Sequence, residues 1–182
     1  MRLELPKRLR HKRNKRRSSL MYRKRKITKE LLSFYGLHFP YKTSRRSRYR
    51  YETVVGIGGN VGDVRRRFEH LFTALRRERR VFVVKTSLIL KNPPFGYTKQ
   101  DDFFNSIVVL KTSMQPKVFL RYLLRLEKRF GRERTFANAP RTLDLDIIFF
   151  DNRKIDTKDL VVPHPHFMQR ESVLIPLKGV GT

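Results

Sequence analysis

The chain has 182 residues and no cysteine, which excludes disulfides, thiolate metal centres and cysteine nucleophiles. Lys and Arg number 43 against 16 Asp and Glu, a formal net charge of +27, and 19 of those cations but only two acids, Glu4 and Glu30, fall in residues 1–50. No wholly apolar run exceeds four residues (Ile147 to Phe150 is one), whereas a spanning helix needs roughly 20, so no membrane span is expected. No apolar stretch follows the basic N-terminus, which argues against a secretory signal. An Arg-rich, acid-poor leader is also the composition of an organellar transit peptide; a cytoplasmic location is the default expectation.

Charge divides the chain into a basic arm, 1–50, and a mildly basic globular domain, 51–182. Self-repulsion and scarce apolar side chains predict an arm that is largely disordered. Within it, Thr28 to Tyr35 opens on a capping residue and carries Leu31, Leu32 and Tyr35 at helical spacing, which predicts a short helix or a docking segment. Clustered cations gain affinity for polyanions by releasing counterions, so residues 1–50 are a candidate nucleic-acid contact; the alternative is a solvated tail.

In the domain, 53–57 reads as a buried strand running into a glycine-rich loop, 58–63. Phe68, Leu71, Phe72 and Leu75 then recur at helical spacing over 64–80. Strands follow at 81–90 and 103–112, separated by the Asn92-Pro93-Pro94-Phe95-Gly96 turn. A second helix runs from 116 to 130, stopped by Gly131. Another strand covers 141–150. The order β-α-β-β-α-β predicts an α+β, ferredoxin-like antiparallel sheet with both helices on one face. The other face is left for a ligand, partly covered by the tail from 163 to 177.

The sharpest chemical signal lies in the last strand. Side chains alternate along a strand, so Asp144 and Asp146 share one face, roughly 6–7 Å apart, while Leu143, Leu145 and Ile147 take the other. Two carboxylates there suit a hard divalent cation such as magnesium; the bland alternative is an edge strand with two solvated acids. Arg132, Arg134 and Arg141 flank the pair and offer bidentate contacts to phosphate oxygens, with Arg170 and His164 as additions. His164 and His166 lack a third ligand at suitable spacing for zinc. The glycine loop fails the G-x-G-x-x-G pattern because residue 61 is Val, and no P-loop or G-x-S-x-G elbow is present.

Taken together, G-I-G-G-N-V-G-D (56–63), N-P-P-F-G (92–96), D-F-F-N (102–105), L-E-K-R-F-G-R-E-R (126–134), P-R-T-L-D-L-D-I (140–147) and V-P-H-P (162–165) resemble the 6-hydroxymethyl-7,8-dihydropterin pyrophosphokinase family of folate biosynthesis. The resemblance covers about residues 53–178. It implies transfer of pyrophosphate from ATP to the hydroxymethyl group of a reduced pterin, with release of AMP. By the same resemblance, Asp144 and Asp146 hold two Mg2+ ions, and Arg132 and Arg141 join them as catalytic residues. Asn92, Pro93, Phe95, Phe103 and Asn105 form the pterin pocket. Glu127, Arg134, Ile147, His164 and Arg170 form the ATP side. The chain departs from the family at Gly59, where Ser is usual, at Asn138, where an aromatic is common, and at Ser172, near where a second stacking aromatic is expected. Val173 or Tyr35 are the candidates to replace that ring.

The competing expectation is an RNA-binding module of the same β-α-β-β-α-β order without catalysis. Against it, Phe103 to Leu110 lacks the aromatic RNP pattern, and Asp144 and Asp146 put negative charge where RNA would lie.

Overall fold

The computed structural model describes residues 23–133 and 139–181, so Arg134, Asn138 and most of the basic N-terminal run lie outside the described residues. In chain order the strands are β1 (Lys24–Lys26), β2 (Leu32–Phe34), β3 (Tyr41–Lys42), β4 (Tyr51–Gly59), β5 (Val81–Thr86), β6 (Ile89–Asn92), β7 (Phe103–Thr112), β8 (Asp144–Phe150), β9 (Ile155–Thr157) and β10 (Leu160–Val162). The helices are α1 (Val64–Arg77), α2 (Pro116–Arg129) and α3 (Glu171–Val180). The chain is therefore α+β, and every strand pairing among the described residues is antiparallel.

β4 is the centre of the main sheet. It pairs with β7 on one side and β8 on the other, and β5 and β6 both pair with the far edge of β7. Alternation along these strands sorts side chains into two cores. Val108 and Leu110 join Phe68, Leu71 and Phe72 of α1 and Phe119, Leu123 and Leu126 of α2. Ile107, Val109, Val54 and Ile148 face the opposite way and meet Val173, Leu177 and Val180 of α3. The C-terminal tail thus does cover part of the second face, as a helix that accommodates Pro176 in its interior.

Local chemistry explains where the elements begin and end. The Asp63 side chain accepts the Arg66 N–H at 3.1 Å and caps α1. α1 stops at Arg77, three residues before its expected end at residue 80, and Glu78 takes the Arg80 N–H and guanidinium on its carboxylate. Pro116 opens α2, and Gly131, at φ +78°, follows its C-cap. The strand expected over 81–90 is two strands. They part at Ser87, whose hydroxyl receives the Ile107 N–H at 2.9 Å and meets the Ser106 hydroxyl at 2.8 Å. β8 starts at Asp144 rather than 141, because Asn60 binds both the N–H and the C=O of Arg141 and holds that stretch as a loop.

The segment 28–35 is not the short helix that its spacing predicts. It is a turn followed by β2, which adds to the free edge of β6, while β1 folds back on β2 as a hairpin. Pairing with an available sheet edge outweighs a weak local helical preference. Residues 36–42 are tied to α1. Phe39 is fully buried, its ring 5.9 Å from that of Phe68, and the His38 ring stacks 4.1 Å from that of Phe72. Glu69 completes the link by accepting the Leu37 N–H at 2.7 Å and meeting His38 Nδ1 at 2.7 Å.

Candidate active site

The period-two reading of β8 places its two acids together. Leu143, Leu145 and Ile147 lie in the helix-covered core, whereas Asp144 and Asp146 line a cleft of about 390 Å3 on the α3 side of the sheet. The cleft floor is backbone. Gly58 stands in register with both Asp144 and Asn105, and Gly56 with both Asp146 and Ile107. Both glycines line the cleft; a Cβ at Gly58 would sit 2.9 Å from Asn105 Oδ1. Bare glycine at alternate positions of the central strand therefore lets the carboxylates of β8 and the amide of β7 converge across it. Neither glycine is among the expected site residues, and Gly58, expected in the loop 58–63, belongs instead to β4. The available signal was a G-x-G on a strand, matching the D-x-D of its neighbour.

Asp144 is held by two arginines. Arg141 Nη1 donates to its Oδ2, and Arg132 Nη2 lies 3.5 Å from its Oδ1. The Arg141 guanidinium also sits 5.2 Å over the Phe103 ring, so one side chain links the acidic pair to the aromatic end of the cleft. The Asp146 carboxylate has no ion pair or hydrogen bond to a described residue. Burial pushes its carboxyl up to about 6, and the Asp144 and Glu127 carboxylates add to the rise, against a smaller pull from Arg170 and Arg141. Among the described residues no group of three or more His, Asp or Glu is placed to hold a metal. Among the described residues a cation here would have these two carboxylates, which suits magnesium with its remaining positions on water and phosphate oxygens.

The other expected residues fall on both sides of the cleft wall. Asn92, Pro93, Phe95, Phe103, Asn105, Arg141 and Arg170 line it. Asn105 Nδ2 donates to Asn92 Oδ1 at 2.7 Å, which fixes one amide against the other, while Phe95 is 80% exposed at the mouth. Arg132 is not on the wall, and meets the cleft through its ion pair with Asp144. Ile147, expected on the ATP side, does not line the cleft, and its side chain lies in the core, as its parity within the strand requires. Glu127 is buried and accepts the Leu145 N–H at 2.8 Å, so it acts on the backbone between the two aspartates rather than on the cleft. His164 is also off the wall; its Nδ1 accepts the His166 N–H at 3.2 Å, and burial and Arg170 lower its pKa. Arg134 lies outside the described residues. Of the two candidates for the missing ring, Val173 lines the cleft beside Ser172, and Tyr35 does not.

A carboxylate pair set among arginines, with an aromatic ring and paired amides lining the same cleft, is an arrangement suited to a group transferase that handles phosphate. The RNA-binding alternative has no support, because α3 packs on the sheet face that RNA would take. Residues 54–182 match the family described as 7,8-dihydro-6-hydroxymethylpterin-pyrophosphokinase, and the chain belongs to that family. It is an enzyme, an ATP-dependent pyrophosphokinase. It is similar to 2-amino-4-hydroxy-6-hydroxymethyldihydropteridine pyrophosphokinase of Helicobacter pylori, with 38% identity over 76% of this chain and 86% of that protein. The enzymes of the same name from Campylobacter jejuni (36% over 76% of this chain and 88% of the relative) and Bacillus subtilis (37% over 69% and 75%) are also similar. Among the described residues no helix is long and apolar enough to cross a membrane.

Proposed function

We propose that the chain transfers the β,γ-pyrophosphoryl group of ATP to the hydroxymethyl oxygen of 6-hydroxymethyl-7,8-dihydropterin. The alcohol oxygen bonds to the β-phosphorus, the bridge from that phosphorus to the α-phosphate oxygen breaks, and AMP leaves as the alcohol gives up its proton. The observation that carries this reading is the shared cleft of Asp144 and Asp146 with Phe103 and Asn105. The order β5-β7-β4-β8 supports reading the core as the ferredoxin-like β-α-β-β-α-β sheet.

Asp144 and Asp146 would hold two Mg2+ ions, which when bound neutralise phosphate charge and align the triphosphate for in-line attack. The chain's own contribution is alignment. Glu127 pins the backbone between the two acids, and Arg132 orients Asp144. Arg141 stands between Phe103 and Asp144; a pterin stacking on that face of Phe103 takes its place and turns the guanidinium toward phosphate. Arg170 and Arg134 contribute further cationic contacts to ATP. Asn105 and Asn92, already joined, present amide edges to the polar rim of the heterocycle. The basic residues of 1–50 contact polyanions, and the enzyme works in the cytoplasm.

The test is AMP release from ATP by the full chain, with and without the pterin alcohol and with and without Mg2+. AMP is expected only when pterin and Mg2+ are both present. AMP formation that ignores the pterin rejects this acceptor.

A binding measurement checks the pocket independently of turnover. Asn105→Ala removes one amide and leaves Asn92 Oδ1 without its donor, so calorimetric pterin affinity should fall by about 1–3 kcal/mol. An unchanged affinity places Asn105 outside the pocket.

A further inference from the structure

The family match begins at residue 54, yet part of the cleft wall comes from much earlier in the chain. Thr28, Glu30 and Leu31 line the same cleft as Asn92, Pro93, Phe103 and Asn105. The register fixes which half they serve. β2 runs antiparallel to β6 with its first residue, Leu32, opposite Lys91, so the turn that precedes Leu32 lies toward the Asn92 end of β6. The tip of the β1–β2 hairpin therefore abuts the pterin end, away from the basic rim of the carboxylate pair.

The tip is a built turn. The N–H groups of Ile27 and Thr28 donate to the Leu31 carbonyl at 2.9 and 3.3 Å. Thr28 Oγ1 in turn accepts the N–H groups of Glu30 and Leu31 at 3.3 and 3.1 Å. Leu31 is 7% exposed, although the residues that precede it, 27–30, are all exposed. It belongs to neither of the apolar cores described above. Three of these hydrogen bonds fix the Leu31 backbone, and its apolar side chain, buried outside both cores, lines the cleft.

We propose that Leu31 is a specificity-determining residue of the pterin subsite. The hairpin tip supplies the apolar contact that Ser172, at the position of the absent second ring, does not. This inference rests on the pterin reading of the cleft. It makes the segment preceding the family match a contributor to acceptor binding, with no part in holding the triphosphate.

Steady-state kinetics with both substrates varied, together with calorimetric pterin binding, test it. Leu31→Ser should raise the pterin KM and Kd about 10-fold, the effect of exposing one apolar side chain's contact to water, with the ATP KM within about twofold of the parent. Leu31→Met should restore most of the affinity. Thr28→Ala, which loosens the turn without touching a core, should move the pterin KM the same way by about two- to fivefold. Parental pterin constants in both Leu31→Ser and Thr28→Ala, or equal rises in the pterin and ATP constants, overturn the proposal. If Leu31→Ser does not fold, an unchanged pterin KM in Thr28→Ala overturns it. A parent that releases AMP without regard to the pterin overturns the acceptor reading and this proposal together. A pterin-dependent parent with unaltered variants overturns this proposal alone.

Discussion

Replacing Asp146 with asparagine is expected to lower kcat by about 100- to 10,000-fold while making the metal-free protein more stable at neutral pH. Both effects have one cause. The Asp146 carboxyl is pushed up to about 6 because burial and two neighbouring carboxylates disfavour its charge. Its folded-state pKa lies above the ordinary carboxylate value, so the folded chain binds more protons than the unfolded chain between about pH 4 and pH 6. The metal-free protein therefore loses stability as pH rises through that window and stays at the lower level above it. The substituted amide carries no charge and removes the loss. After a discount for solvent screening, the gain at pH 7 is on the order of 1–2 kcal/mol. A divalent cation needs the ionised form, so Mg2+ affinity in the parent should rise with pH up to about 6 and level off. Urea melts from pH 4 to 8 with chelator, beside AMP-release assays with Mg2+, measure both sides. Parental turnover in the variant, or the same stability slope in both proteins, contradicts the assignment.

That trade of stability for charge is legible in the sequence, because period-two alternation needs only the strand to be right. The same rule places Asp144 and Asp146 on the cleft and Leu145 in the core. It also places the Ile147 side chain in the core, so any contact of that residue with ATP falls to its backbone. Glu127 was found by the motif, but its hydrogen bond to the Leu145 N–H depends on how α2 lies against β8, which no local pattern encodes. The cleft floor at Gly56 and Gly58 required knowing that β4 runs between β7 and β8, a long-range pairing. The N-terminal strands were least legible. Each is two or three residues long, without an apolar run; β2 and β3 exist because β6 and β5 offer them an edge, and β1 because β2 does. Charge density described that segment's solubility and said nothing of the one phenylalanine it buries.

Removing residues 1–22 and removing residues 1–50 should therefore have opposite outcomes. The first deletion takes away nine Lys/Arg and none of the N-terminal contacts described above, so melting temperature, turnover and pterin affinity should match the full chain. Only salt-sensitive retention on a polyanion such as heparin should weaken. The second deletion withdraws Phe39, fully buried against Phe68 and Phe72; emptying a phenylalanine site of this kind costs about 3–5 kcal/mol by itself. It also strips β2 from β6 and β3 from β5, exposing unpaired sheet edges, and leaves Glu69 without the Leu37 and His38 partners that anchor the segment to α1. Against a typical domain stability of about 5–15 kcal/mol, the sum leaves little or no folded protein. Circular dichroism melts and AMP release on the two truncations decide the matter. A 51–182 fragment that melts and turns over like the parent would mean that the helices and sheet close without the phenylalanine, and that charge alone marks the true boundary of the enzyme.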